Sequence, residues 1–487
     1  MASIITRAER LFGIKRTAVE LINKGRLSDA LELCADNSAR AQTLIQQYNP
    51  DTHKVNDRKN KKTDVFTPNV ITETKQKFIN DVETTFLYGQ EVGKGLKWRL
   101  ANDTGEGEEK NDKVYEAWNS FMDIIRTTRN DSLNREMKTI AGSEAEAAKI
   151  YWVSKDSRDP DKMYVRARVL ANSKGDKLNP LIDHLGNMQM FAHGYTIKEG
   201  KKDIPCYDVY TAERIWHFRD GKPYENKETG QKATEENLIG LIPIVYVQQD
   251  EAWSGAQNRL DRREELKSAI ADVTDKNSDP DKFWSGEDLE TLEAKVKEGM
   301  MKRQSGGNNY GLTSVDNMPR YLTLDQSTDL KKMENEDLTD DVLTDTYTPD
   351  MRMISLLKAG DLSGKALQRL LFLGYIKRGK NIMIYEVAHN REISIIKAIL
   401  SQVMAIALSE YVAELDIRFS FAEPFEIDKS EVSRYYADLY DKGLLSRATA
   451  IAKIGEVDDV QAEIELIDAE RLKQEKIEMN NALMGEM

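Results

Sequence analysis

Hydrophobic positions divide the chain into stretches of helical and of strand-like period. Up to about Gln47, the residues Ile14, Ala18, Leu21, Ile22, Leu27, Leu31, Leu33, Ala41, Leu44 and Ile45 recur near a 3.6 period and predict helix. The next stretch, HKVNDRKNKKTD, is basic and poor in apolar residues, with Lys54, Arg58, Lys59, Lys61 and Lys62. It reads as a solvated loop rather than a phosphate-binding patch. Val70, Ile71, Phe78, Ile79, Val82, Phe86 and Leu87 predict helix from Pro68 to Gly93, and the acidic GEGEEKND run after it predicts an exposed loop. Helix returns over 114–149 through Val114, Trp118, Phe121, Met122, Ile125, Leu133, Met137 and Ile140. The period then changes. YWVSKD, MYVRARVL, MQMFAHGYTI, CYDVYTAERIWHF and LIPIVYVQQ are short, rich in β-branched and aromatic residues, and separated by turn residues such as Asp159-Pro160, Gly186-Asn187 and Asp220-Gly221. Alternation across Tyr164 to Val169 lets one face be buried and the other solvated, so the region predicts an antiparallel β unit.

Helical period resumes after Trp253, with Leu260, Leu266, Ile270 and Val273 on one stripe and the charges Asp261, Arg262, Arg263, Glu264 and Glu265 mostly opposite. A polar insertion follows, with SGGNNYG at 305–311 as its most flexible point. A second helix over 327–344 is acidic, carrying Asp329, Glu334, Glu336, Asp337, Asp340 and Asp341 against Lys331 and Lys332. From Ser363 to about Leu415 the apolar positions are dense enough for a buried helix, interrupted at Gly374 and Gly379. A short strand at 417–421, helices at 429–442 and 446–454, and an acidic tail over 456–487 complete the order. No internal repeat with a period of roughly 20–50 residues is present.

Composition then narrows the possible functions. Lys and Arg number 70 against 83 Asp and Glu, a net charge of -13 over 487 residues; at roughly 150 residues per domain this length predicts about three domains. The acidic balance argues against wrapping nucleic acid, which needs clustered cations, but does not exclude a protein through which DNA slides. Two cysteines, Cys34 and Cys206, make no disulfide framework. His53, His184, His193, His217 and His389 lack HxxxH or HExxH spacing, so no metal or other cofactor is expected, and His217 between Trp216 and Phe218 reads as a sheet residue. Gly360-Asp-Leu-Ser-Gly364-Lys365-Ala366 is not a phosphate loop: three residues separate its glycines instead of about four, and Ala366 stands where magnesium needs a hydroxyl. It reads instead as a loop-to-helix junction capped by Ser363. The acidic pairs Asp340-Asp341 and Asp458-Asp459 diverge by about 100° on a helix and do not converge on an ion. The first twenty residues contain no secretory core, and the apolar run 398–409 is well short of the roughly 20 residues of a membrane span, so a cytoplasmically made protein without membrane partners is expected.

Three strings carry a resemblance: FINDVETTFLYGQEVGKGL at 78–96, GLIPIVYVQQDEAWSGAQNRLDRREELKSAIAD at 240–272, and TYTPDMRMISLLKAGDLSGKALQRLLF at 346–372. With the order of elements they resemble the tailed-bacteriophage portal protein family over roughly residues 70–470, through an apolar strand with a proline leading into a helix and a Pro-Asp loop before a long helix. The resemblance implies an α+β, mainly helical portal fold with wing, stem, clip and crown, assembled as a ring, typically a dodecamer, at one vertex of the capsid. Its parts would be a helical and basic segment at 1–70, a wing at 71–250, stem helices at 251–275 and 326–348 around a clip at 276–325, a tunnel loop at 349–362, a long wing helix and strand at 363–427, and a crown at 428–487. The tunnel loop would present Met351, Arg352, Lys358, Asp361 and Ser363; Lys358 reads either as a cation in transient phosphate contact or as a surface lysine near a subunit boundary. Asp329, Glu334, Asp337 and Asp341 would form an acidic channel wall, and Lys302, Arg303 and Arg320 would face partners at the clip. Implied partners are other copies of the chain, double-stranded DNA in transit, the terminase large subunit, the major capsid protein and a head-completion or adaptor protein, all in the virion. No enzymatic activity is expected. The competing readings are a P-loop-like NTPase, a metal-dependent nuclease, or a ring-forming capsid or adaptor protein that passes no DNA.

Overall fold

A computed structural model describes residues 18–62, 67–89, 95–100, 108–155, 163–226, 230–278, 281–285, 309–312, 320–322, 328–350, 371–424, 429–454, 460, 463–464 and 466–473. The described residues up to 350, together with 371–422, form one compact unit; the helices beyond 423 form a second.

Helix α1 (Ser38–Tyr48) follows two short helical segments at 18–23 and Leu27–Leu31, so the predicted opening helix is broken into three pieces. Its predecessors pack Ala18, Ile22, Leu27 and Ala30 onto Leu181, Met190, Val209, Trp216 and Phe218 of a β-sheet. The basic stretch is not a loop but a run of 3-10 turns, Lys54–Lys61. Helix α2 (Lys75–Tyr88) starts later than the apolar period predicts, because 67–74 is a non-helical strap held along another helix by hydrogen bonds from Asn69 and Ile71. Strand β1 (Leu96–Leu100) then leads to α3 (Glu108–Thr127), whose first turns take up the end of the run expected to be an acidic loop. The helix expected over 114–149 breaks at Arg129, whose left-handed backbone (φ 54°) separates α3 from α4 (Asn130–Glu144). It then ends early, because Glu146 already opens a strand.

Strands β2 (Glu146–Lys155), β3 (Met163–Leu170), β4 (Lys177–Ile182), β5 (Met188–Glu199), β6 (Lys202–Tyr210), β7 (Arg214–Arg219), β8 (Lys222–Pro223), β9 (Thr234–Glu236) and β10 (Ile244–Gln248) make the predicted antiparallel β unit. It consists of two sheets. One has the order β10-β2-β3; the other runs β4-β5-β6-β7-β8 with β9 on β7. Helix α5 (Gln257–Ser278) follows, then a small mixed sheet of β11 (Asp281–Ser285), β12 (Asn309–Leu312) and β13 (Arg320–Leu322), with β12 parallel and β13 antiparallel to β11. Helix α6 (Thr328–Asp345) returns alongside α5.

The 28-residue α7 (Phe372–Ile399) is the central helix of the first unit. The glycines expected to interrupt it lie within it. Gly374 is required by packing, since a Cβ there would sit 2.3 Å from the Phe86 ring. Helical hydrogen bonding changes only beyond Leu400, through a π turn (Leu400–Met404) and a 3-10 turn (Ile406–Leu408) before the short helix Ser409–Glu414. Strand β14 (Ile417–Phe421) pairs antiparallel with β1, Trp98 opposite Phe419, and both rings join His389 and Phe121 in the core. That core collects Leu87, Tyr88, Phe121, Met137, Tyr151, Val245, Tyr385, Ile395, Ile396 and Ile399 from helices and the smaller sheet together. The second unit contains α8 (Lys429–Asp441) and α9 (Arg447–Ile454), close to their expected bounds, with Arg447 paired to Asp468 at 2.5 Å. Among the described residues no single helix is long and apolar enough to cross a membrane.

Candidate functional site

The surface that bears on function is built on α5 and α6. Arg262 Nη2 lies 2.8 Å from Glu334, and Arg259 lies 3.5 Å from Asp341 and 2.5 Å from Asp345. Low numbers on α5 meet high numbers on α6, so the two helices run antiparallel. Val342 is buried with Leu260, Ala256 and Trp253 at the base of the pair. Asp341 and Asp345, though bridged to Arg259, are exposed, as are Asp329, Glu336 and Asp337 on the same helix. Lys332 is the exposed lysine of that helix.

The opposite flank of α5 is held by the basic stretch. Lys54 Nζ donates to Asp261 at 2.6 Å, Arg58 Nη2 to Asp272 at 2.5 Å, and Arg58 also approaches Glu265 at 3.5 Å. The strap continues the contact: Asn69 donates from its backbone to Asp272 and from its side chain to Asp275, each at 2.7 Å, and Ile71 N–H donates to Ser268 Oγ at 3.0 Å. Glu73 pairs with Arg263 at 3.2 Å and with Lys267. Arg263 and Glu264, expected on a solvated face, are consequently buried. His53 sits within this contact, with Nδ1 2.7 Å from Glu264 Oε1 and Nε2 2.7 Å from the Gln47 carbonyl. Burial opposes charge on the ring, but two acceptors facing its two nitrogens outweigh it and raise its pKa above 6.5.

Deeper in the same unit lies a charge network that the pattern reading does not find. Lys149 on β2 and Glu392 on α7 are fully buried and pair at 2.5 Å; Glu392 also accepts from Asn130 at 2.5 Å and from Tyr151. His389 Nδ1 donates to Glu392 at 2.9 Å while its Nε2 accepts from the Tyr88 hydroxyl at 2.9 Å. Burial lowers the His389 pKa, so the ring is neutral and this tautomer satisfies both partners. A second cluster joins Glu83 to Lys138 at 2.7 Å, Lys377 at 2.9 Å and Asn381 at 2.9 Å. Burial alone would push the Glu83 carboxyl up; the two ammonium groups more than offset it and hold its pKa at about 2. Perturbed groups of this kind can mark catalysis; here the side chains are buried between α2, α4, β2 and α7 and are satisfied by one another. They tie helices to sheet. Their sequence signal is a charge in phase with a buried stripe: Glu392 shares the face of Ile395, Ile396 and Ile399.

A sequence model of one family, described as "Phage portal protein, SPP1 Gp6-like", matches residues 35–476. The chain belongs to this family. It is a phage portal protein, a structural component of the virion at the capsid vertex. The portal family is structural rather than enzymatic. No curated protein matches the chain. Among solved structures, a chain from "Virion of native gene transfer agent (GTA) particle" shares 12% identity at a TM-score of 0.35, covering 77% of this chain and 93% of its own. A chain from "Neck of native GTA particle computed with C12 symmetry" shares 12% identity at a TM-score of 0.37, covering 78% of this chain and 90% of its own.

In this portal protein the expected site residues are placed as follows. Asp329 and Asp337 lie on the exposed side of α6; Glu334 and Asp341 lie on the same helix but turn to the arginines of α5. Arg320 falls in β13. Lys302, Arg303, Met351, Arg352, Lys358, Asp361 and Ser363 lie outside the described residues, as do the loop-to-helix junction at 360–366 and Asp458-Asp459. His217 sits on β7 as a sheet residue, 2.6 Å from Asp208. Among the described residues no group of three or more His, Cys, Asp or Glu is arranged to hold a metal ion.

Proposed function

We propose that copies of this portal protein close into a ring through which double-stranded DNA passes during packaging and ejection. The supporting observation is the α5–α6 pair, an antiparallel hairpin bridged by Arg259 and Arg262 whose second helix exposes Asp329, Glu336, Asp337, Asp341 and Asp345. Such a surface repels phosphates over a Debye length of about 8 Å at physiological salt and so favours a duplex centred on the axis rather than adhering to the wall. Strong phosphate contacts would act as friction. Twelve helices spaced at about 9 Å give a circumference near ~108 Å and an axis-to-axis diameter of about 34 Å; removing one helix thickness of about 10 Å leaves roughly 24 Å, against roughly 20 Å for a B-form duplex.

In this reading α5 and α6 are the stem at 251–275 and 326–348, and the small mixed sheet lies in the clip at 276–325. Lys302, Arg303 and Arg320 there meet the terminase large subunit and later the head-completion or adaptor protein. The wing meets the major capsid protein. The loop 349–362 approaches the DNA through Met351, Arg352, Lys358 and Asp361, and 428–487 is the crown. The chain supplies no ATP turnover of its own.

An image of the assembled particle down its axis tests this: a closed annulus with a hole near 24 Å is expected from the helix spacing above. Failure to close, a hole too narrow for a duplex, or robust ATP turnover or magnesium-dependent DNA cleavage by the purified chain would each overturn it.

A further inference from the structure

Helix α7 is apolar on two sides. One, through Tyr385, Ala388, Ile395, Ile396 and Ile399, is buried in the core. The other is bare: Phe372 is 61% exposed, Met383 69% and Val387 70%. With Ile376 half-buried and Gly379 and Asn390 exposed, positions 372, 376, 379, 383, 387 and 390 follow the three-and-four spacing of a helix seam. A contiguous apolar stripe on a helix normally packs against another element. Here one side has no cover from the described residues.

The two glycines of α7 separate the roles of its sides. Gly374 is explained within the chain by Phe86, as described above. Gly379 is not: a Cβ there would meet nothing within 4 Å. A mid-helix glycine destabilises a helix relative to alanine, and this one lies in the centre of the bare seam, where a missing side chain lets another surface approach closely.

Charge and size limit what covers the seam. It carries one exposed cation, Lys380, and one exposed anion beside it, Glu386, for a net charge of zero. A DNA backbone would find a single cation there, offset by an anion, and not the clustered cations that phosphate binding needs. Three large side chains exposed to this degree present apolar area on the order of 300 Å², the size that marks an interaction site and a fitting centre for the roughly 800 Å² each partner buries in a standard interface. Lasting contacts between copies are the most apolar class of interface. We propose that the α7 seam from Phe372 to Val387 is a contact between neighbouring copies of this chain, with Gly379 as the point of closest approach. This rests on the ring reading above and adds which face closes it.

The test uses the full-length chain and measures the concentration at which half of it is assembled, by native mass spectrometry and negative-stain images. Gly379→Leu should raise the melting temperature of the unassembled chain, because it replaces a glycine in open space, and yet weaken assembly at least tenfold. Met383→Asp with Val387→Asp should abolish annuli while the unassembled chain keeps its helical circular dichroism. A photo-crosslinker at position 383 should link to a second copy within the ring. If the variants assemble like the parent, or the crosslinker finds only its own chain within rings, the seam is not the contact and the ring reading stands. If the parent chain never forms annuli, the ring reading fails and the seam proposal with it.

Discussion

Burying Lys149 and Glu392 removes both from water, at a cost of several kcal/mol each, which their 2.5 Å contact and the surrounding Asn130, Tyr151 and His389 offset. Removing one partner strands the other. Glu392→Ala should therefore destabilise the first unit by about 3–5 kcal/mol, measured by chemical denaturation, and the double variant Lys149→Met, Glu392→Leu should recover most of that loss. A cost below about 1 kcal/mol for the single change would contradict the assignment. Glu83 sets an acid limit. Its folded pKa is depressed from the usual 4.5 to about 2, so the stability it contributes is present above 4.5 and is lost as the pH falls towards 2. Replacing it with Gln should flatten the stability profile across that window. These residues were hard to find in the sequence because a lone Lys or Glu in a helix or strand normally marks the solvent side; burial reverses that meaning once a partner from a distant element is available.

The pairing of the basic stretch with α5 is the element-scale result. Pattern alone reads Lys54, Arg58 and their neighbours as a solvated loop, and reads Arg263 and Glu264 as a solvated helix face. Both readings assume water as the partner, whereas the two charged segments, some 200 residues apart in sequence, partner each other. Arg58→Ala should cost about 1.5–3 kcal/mol of local stability, the scale of a charged hydrogen bond, and should raise hydrogen exchange along α5. His53 adds a pH dependence of the opposite sign to Glu83. Its folded pKa is raised, so its contribution is complete below 6.5 and is lost as the pH rises through the folded value. Exchange protection of α5 should fall over that range, and His53→Gln should remove the dependence. The elements with strong single periods, α6, β3, β14, α8 and α9, were legible within a few residues. The break at Arg129 was not, because the left-handed residue there is an arginine and no glycine announces it.

For the whole molecule the decisive quantity is how charge is distributed between faces. A net charge of -13 does not show where the carboxylates point. In α6, Arg262 and Arg259 partly offset the charge of Glu334, Asp341 and Asp345, whereas Asp329 and Asp337 stand exposed on the same helix. Deleting 351–362 should leave ring assembly intact while impairing DNA packaging or retention, scored by packaged genome per particle. Unchanged packaging would remove that loop from the channel.

By itself the sequence determined the order of helices and strands, the acidic character of α6, the absence of hydrolytic motifs and the resemblance to portal proteins, because each is written in local period or in contiguous strings. Only the tertiary structure decided which charges are spent on one another, which are sealed in the core, and which side of α7 is left bare. Those outcomes depend on contacts between residues tens to hundreds of positions apart, and a one-dimensional pattern does not contain the distances that make a carboxylate an exposed charge, a buried partner or half of an ion pair.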